Sequence, residues 1–133
     1  MKMPCEIVVR NILPTARSEI AKELVTVHGL TQTKVAKMFG VTSAAVSQYM
    51  KGLRGGNSLL DSSSYKGYFC DLIIRAADNI AKGRDVTEEL CFICSETKRC
   101  GILDEIYKNQ GELTPLAECV ECPRDNLVIE VSD

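Results

Sequence analysis

The sequence predicts a mainly α fold in two small units, with short strand-like arms at both ends. Three observations carry this. Apolar residues recur at spacings of three and four through most of the chain, the period of an amphipathic helix. Glycines fall where those runs stop. A Gly- and Ser-rich stretch in the middle divides a basic front from an acidic, cysteine-rich back. At 133 residues, 45% apolar and 26% charged, the chain suits one domain or two very small ones. Wholesale disorder is excluded by the same composition.

Each element has a local reason. Residues 4–12 are apolar and β-branched at Ile7, Val8, Val9 and Ile12, and predict a short strand or extended arm. Pro14 suits the first turn of a helix. Over 15–27, Ala16, Ile20, Leu24 and Val27 form one stripe of that helix, and Gly29 ends it. Thr31 is a good N-cap for a second helix through Val35 and Met38, which Gly40 breaks. Thr42 caps a third helix over 43–50, stopped at Gly52. Residues 52–64 are the best linker in the chain, and the predicted division is 1–56, a linker at 57–66, and 67–133.

Beyond the linker, Phe69, Leu72, Ile73, Ala76, Ala77 and Ile80 make a long stripe on a fourth helix over 66–82, ended by Gly83. The length of that stripe makes the helix a candidate dimer element. Asp85 and Glu88 have the spacing of an N-terminal capping pair, starting a fifth helix with Val86, Leu90 and Ile93 inward. A short helix is expected over 102–107, and Leu127, Val128, Ile129 and Val131 read as a strand.

Several function classes drop out. No run of eighteen apolar residues exists, so no membrane span is expected. The first residues lack the apolar core of a secretory signal, which makes a cytoplasmic location the expectation. An enzyme is not expected. The single histidine, His28, has no nucleophile partner in view, and Gly52, Gly55 and Gly56 lack the Lys-Ser/Thr of a phosphate loop. Charge is uneven: residues 1–56 carry eight Lys and Arg against three Glu, and 57–133 carry eight basic against fifteen acidic residues. A basic front points to a polyanion-binding module.

The segment 30–52 has the chemistry for that role. Val35, Ala36, Phe39, Val41, Val46 and Tyr49 form its apolar set, and Ala36 is small where two helices must approach. Gly40 supplies a turn that tolerates positive φ. Ser43, Ala44, Ser47, Gln48 and Lys51 fall on the outward face of the third helix, a small and polar face suited to a major groove. A packing unit without DNA binding is the plainer alternative.

Gln32, Ala36, Gly40, Val46 and Ser47 carry a resemblance to the helix-turn-helix of the Cro and phage-repressor type, the XRE class. The resemblance covers about twenty residues with every core position apolar. It implies that Ser43, Ala44, Ser47 and Gln48 read bases. It also implies that Gln32, Thr42, Lys51 and Arg54 make phosphate or positioning contacts. Gln48 is suited to a bidentate pair with an adenine edge.

Seven cysteines in this chain suggest metal or redox chemistry in a reducing compartment, and the odd count argues against a purely disulfide framework. Cys91 and Cys94, then Cys119 and Cys122, form two C-x-x-C pairs twenty-four residues apart, able to converge on one metal centre. Two redox dithiols or buried structural thiols are the alternative. Cys91 and Cys94 lie in a helical pattern without the glycine of a zinc knuckle, Pro123 follows Cys122, and Cys100 is a fifth thiol. These features favour an iron–sulfur cluster, of the 4Fe–4S type, with zinc as the alternative. Cys5 reads as a small buried hydrophobe in the arm, with a role near the cluster of a partner subunit as the sharper alternative, and Cys70, beside the apolar stripe of the fourth helix, reads as structural.

The whole chain resembles a group of archaeal regulators, through the arm Pro4-Cys5-Glu6-Ile7-Val8-Val9-Arg10 and through Leu13, Pro14 and Arg17. That group joins such an arm to a Cro-type helix-turn-helix and a C-terminal cysteine cluster, with a further Cys about ten residues after the first C-x-x-C. Here Asp104 stands at that place and a cysteine at 100. The expected ligands are Cys91, Cys94, Cys119 and Cys122, with Cys100 competing and Asp104 an outside candidate.

The function this predicts is a homodimeric, sequence-specific transcription regulator binding double-stranded DNA, its iron–sulfur cluster sensing redox or iron and sulfur status. One alternative is a DNA-binding regulator with a purely structural zinc. The alternative of another class is a redox or metal-carrier protein that uses its front helices to dock on a protein.

Overall fold

Helix α1 (Leu13–Thr26) runs through the middle of the protein and every other element packs on it. The structure, a computed structural model, describes residues 6, 8–52, 64–99, 102 and 105. Among these the fold is mainly helical, as expected. A π-helical turn (Val8–Ile12) leads into α1, followed by α2 (Gln32–Phe39), α3 (Ser43–Met50), α4 (Lys66–Ala81) and α5 (Val86–Arg99). No described helix is long and apolar enough to cross a membrane.

The central place of α1 follows from its residues. Ala16, Ile20 and Leu24 are fully buried on the face their spacing predicts. Thr15, Ser18 and Ala21 are buried on its flanks, so little of the helix is left for solvent. Their small size leaves room for both α3 and α4 to pack on α1. Val27 departs from the expected stripe: α1 ends at Thr26, and Val27, at its C-cap, is 66% exposed.

The predicted N-terminal strand is corrected over the residues that can be seen. Val8–Ile12 is a π-helical turn, not a strand. Val8 and Ile12, one turn apart, are both buried in the common core, while Val9 and Arg10 face solvent. β-Branched residues accept either backbone, and no strand among the described residues is there to pair with them. Pro14 explains the wider register. It has no N–H to give the Arg10 carbonyl, and its ring crowds that carbonyl in a regular α-helix. The Thr15 hydroxyl donates to the Asn11 carbonyl at 3.2 Å, satisfying an acceptor at this junction. The second strand-like arm, 127–131, and the helix expected over 102–107 lie outside the described residues, apart from Ile102 and Glu105.

Helix α4 buries all six residues of its predicted stripe, against α1 and α5. That stripe is therefore filled from within the chain, and a dimer built through it would have to unpack the core. Cys70, beside that stripe, lies on the exposed side of α4.

The turn into α5 closes on Gly83 (φ 107°), with Arg84 N–H donating to the Asn79 carbonyl and Gly83 N–H to that of Ile80, each at 3.0 Å. Asp85 begins α5, its carbonyl accepting from Glu89 N–H at 3.2 Å. Glu88, the expected capping partner, is exposed; Glu89 is buried and accepts from Asn79 Nδ2 at 3.0 Å. Two further links tie α4 to α5: the Arg75 guanidinium lies 4.3 Å from the centre of the Phe92 ring, and the Tyr68 hydroxyl donates to Glu96 at 2.7 Å. Buried apolar side chains from α2 and α3 (Val35, Val46, Tyr49) and from α4 and α5 (Phe69, Ile73, Ile93) belong to one continuous core.

Candidate nucleic-acid interface and cysteine face

Helices α2 and α3 are each eight residues long and each is started by a threonine. The Thr31 hydroxyl accepts from Lys34 N–H and the Thr42 hydroxyl from Ala45 N–H, both at 3.1 Å. Between them Gly40 adopts φ 67° and ψ 33°. Val41 N–H donates to the Ala36 carbonyl at 3.0 Å and Gly40 N–H to that of Lys37 at 3.3 Å, the paired bonds of a Schellman turn. The predicted apolar set holds the unit to α1. Val35, Ala36, Val46 and Tyr49 are buried, and Phe39 and Val41 are half-buried against the core.

What remains outside is polar and small. Gln32, Thr42, Ser43, Ala44, Gln48 and Lys51 are exposed and Ser47 is half-buried; Arg54 lies outside the described residues. Thr42 accepts a bond as a cap and keeps its own proton to donate outward. Lys34 and Lys37 on α2 are also exposed. The surrounding electrostatics are one-sided: residues 24–60 contain Lys34, Lys37, Lys51 and Arg54 and not one Asp or Glu. This acid-free window is a signal that whole-half charge counting dilutes.

The cysteines lie on another helix. Cys94 is buried and Cys91 half-buried, one turn apart on α5, with no disulfide to another described cysteine. Their neighbours on the same face are Ser95, four residues after Cys91, and Lys98, four after Cys94. The Ser95 hydroxyl is buried with no hydrogen-bond partner, and the Lys98 ammonium is buried as well. Neither was singled out by the cysteine spacing, although the helical period around the C-x-x-C would have found both. Among the described residues no group of three or more Cys, His, Asp or Glu is placed to hold a metal ion. Cys5, Cys100, Cys119, Cys122 and Asp104 lie outside the described residues.

A shallow hollow of about 360 Å³ lies between α1 and α4, lined by Glu19, Glu23, Lys66, Phe69 and Cys70 among others. Its neighbour holds His28 and Asp78. The hydrogen bond from Lys82 holds the Asp78 carboxyl below its usual 3.8; partial desolvation opposes this, and the charges of Lys82 and His28 reinforce it. Neither hollow includes Cys91, Cys94 or the polar face of α3.

Comparison of the chain with family models, with curated proteins and with solved structures finds no match.

Proposed function

We propose that this protein is a sequence-specific DNA-binding transcription regulator of the helix-turn-helix class, with α3 as the reading helix. One observation carries the reading. Two capped eight-residue helices meet at a left-handed glycine, bury their apolar faces on α1, and leave Ser43, Ala44 and Gln48 exposed inside a stretch without acidic residues. A small polar surface at a helix start suits the major groove, and the lysines around it suit phosphates. Binding as a homodimer would present two such helices to half-sites about one DNA turn apart.

The second part of the proposal is a cysteine-ligated iron–sulfur centre. Cys91 and Cys94 fit the role of two thiolate ligands, because they share one face of α5 with a buried, unpartnered hydroxyl. Cys119 and Cys122 are the proposed remaining pair, with Cys100 competing. The setting of Cys91 and Cys94 within a helix supports a cluster over the tight knuckle of a zinc ribbon. When bound, such a cluster supplies one-electron redox chemistry. Helices α5 and α3 both pack on α1, which gives the state of the cysteine face a route to the reading helix.

The test has two arms. Protein purified without oxygen is assayed for visible absorbance, iron and acid-labile sulfide, then for binding to DNA selected from a random library. Broad visible absorbance, and specific binding that the Ser47→Ala, Gln48→Ala double variant abolishes without unfolding, are the expected results. A colourless protein with one zinc per chain would replace the sensor by a structural site. Binding that is unchanged in the double variant would remove α3 from the reading role. No DNA binding at any salt concentration would leave the protein-docking carrier.

A further inference from the structure

The cysteine face of α5 contains a polar group that the fold leaves unused. Ser95 is almost fully buried, and its hydroxyl has no partner. Buried hydroxyls without hydrogen bonds are rare, because desolvation is not repaid, and each one asks for an explanation. Serine in a helix has an easy local answer, which is to donate to a carbonyl three or four residues back. Two residues further on Thr97 does so, donating to the Cys94 carbonyl at 3.0 Å. Ser95 does not.

The residue one turn before Ser95 is Cys91, and helical side chains lean toward the preceding turn. A thiol sulfur is a poor acceptor. A thiolate, the form that ligates metal, is a far better one, since bonds to ionised acceptors are about twice as strong as neutral ones.

We propose that Ser95 is a positioning residue for the cysteine centre, its hydroxyl donating to the Cys91 sulfur once that sulfur is a metal-bound thiolate. This rests on the reading of Cys91 and Cys94 as ligands. It assigns the free protein and the loaded protein opposite responses to one substitution. Without metal, Ser95→Ala removes a buried unpaired oxygen and leaves stability unchanged or raised. With metal, the same change strips a hydrogen bond from a ligand, a loss that elsewhere weakens metal binding by about 10–100-fold.

The experiment titrates the full chain with Co²⁺ without oxygen, reading sulfur-to-cobalt charge-transfer absorbance, and melts the metal-free protein in parallel. Ser95→Ala is compared with the unmodified chain, with Ser95→Thr and with Cys91→Ala, Cys94→Ala. The expected results are lost absorbance in the cysteine variant and at least tenfold weaker Co²⁺ binding with a shifted band in Ser95→Ala. Recovery in Ser95→Thr and no fall in the metal-free melting temperature of Ser95→Ala complete the expectation. Cobalt binding that needs both cysteines but has the same affinity and band in Ser95→Ala overturns this inference and leaves the centre standing. A Ser95→Ala protein that is less stable without metal makes the hydroxyl structural and also overturns it. Failure of the unmodified chain to bind, or unchanged binding in the cysteine variant, overturns the ligand reading itself and the inference with it.

Discussion

Asn79 on α4 donates to the carboxyl group of Glu89 on α5 at 3.0 Å, with only 2% of Glu89 exposed. Removing the donor strands a buried acceptor. Asn79→Ala is expected to destabilise the fold by about 1–3 kcal/mol, while Glu89→Gln, which keeps an oxygen in place to accept, costs less than about 1 kcal/mol. Urea unfolding of Asn79→Ala and Glu89→Ala, each of which removes the bond, and of the double variant yields the coupling of the pair. Additive losses would show that the bond contributes nothing beyond packing.

At Gly40 the backbone itself is the constraint. A Cβ added there would meet nothing within 4 Å, so any cost of Gly40→Ala comes from holding φ at 67°. The expected loss is roughly 1–2 kcal/mol, with Gly40→Asn milder because asparagine tolerates this region. Chemical denaturation checks the ranking. Equal losses for Ala and Asn would mean that space, not conformation, is limiting.

The lysines of the front helices are expected to act on DNA without reading it. Lys37→Gln and Lys51→Gln, both at exposed positions, should weaken binding to all sequences alike. Each should also lower the salt slope of log K by about 1 for every phosphate left without its lysine. Binding measured from low to high salt on a specific site and on random DNA tests this. A loss confined to the specific site would turn the residue into a base reader.

Asp78 predicts a pH effect with a definite sign. Its pKa is lowered from 3.8 chiefly by the hydrogen bond from Lys82, whose ammonium lies 2.8 Å away. A folded-state value below the unfolded one means the contribution is complete above 3.8 and is lost as pH falls through the lowered value. The pair is exposed, so thermal stability at neutral pH should barely respond to Lys82→Ala. The carboxyl titration midpoint, followed by NMR, should rise toward 3.8 in that variant. An unmoved midpoint would show that Lys82 is not the cause.

Much of this architecture is legible from residue spacing. The six-residue stripe of α4, the threonine caps and the Gly40 turn each have a local physical cause that needs no distant partner to be read. Val8–Ile12 is not legible in this way, because a β-branched run shorter than two helical turns has no period and its backbone depends on what lies beside it. The stripe of α4 shows a second limit: periodicity says that a face will be covered, not whether the cover comes from α1 or from another copy. Glu89 shows a third. A capping pattern draws attention to Glu88, while the burial of its neighbour depends on Asn79, ten residues away. For the cysteines, spacing identifies Cys91 and Cys94 as a pair on a helix. The same helical period places Ser95 and Lys98 on their face, while the burial of those two polar groups becomes known only from the fold.

Helix α1 touches the front helices α2 and α3 and also the back helices α4 and α5. The order of helices along the chain therefore differs from the order in which they depend on one another. A fragment cut at the glycine-rich stretch would carry α1 away with the front helices and leave Phe69, Leu72 and Ile73 of α4 open to water. The back piece alone should clump, and the front piece should expose the side of α1 that α4 had covered. Mixing the two pieces should restore solubility to both, which makes split-fragment complementation a natural property of this fold.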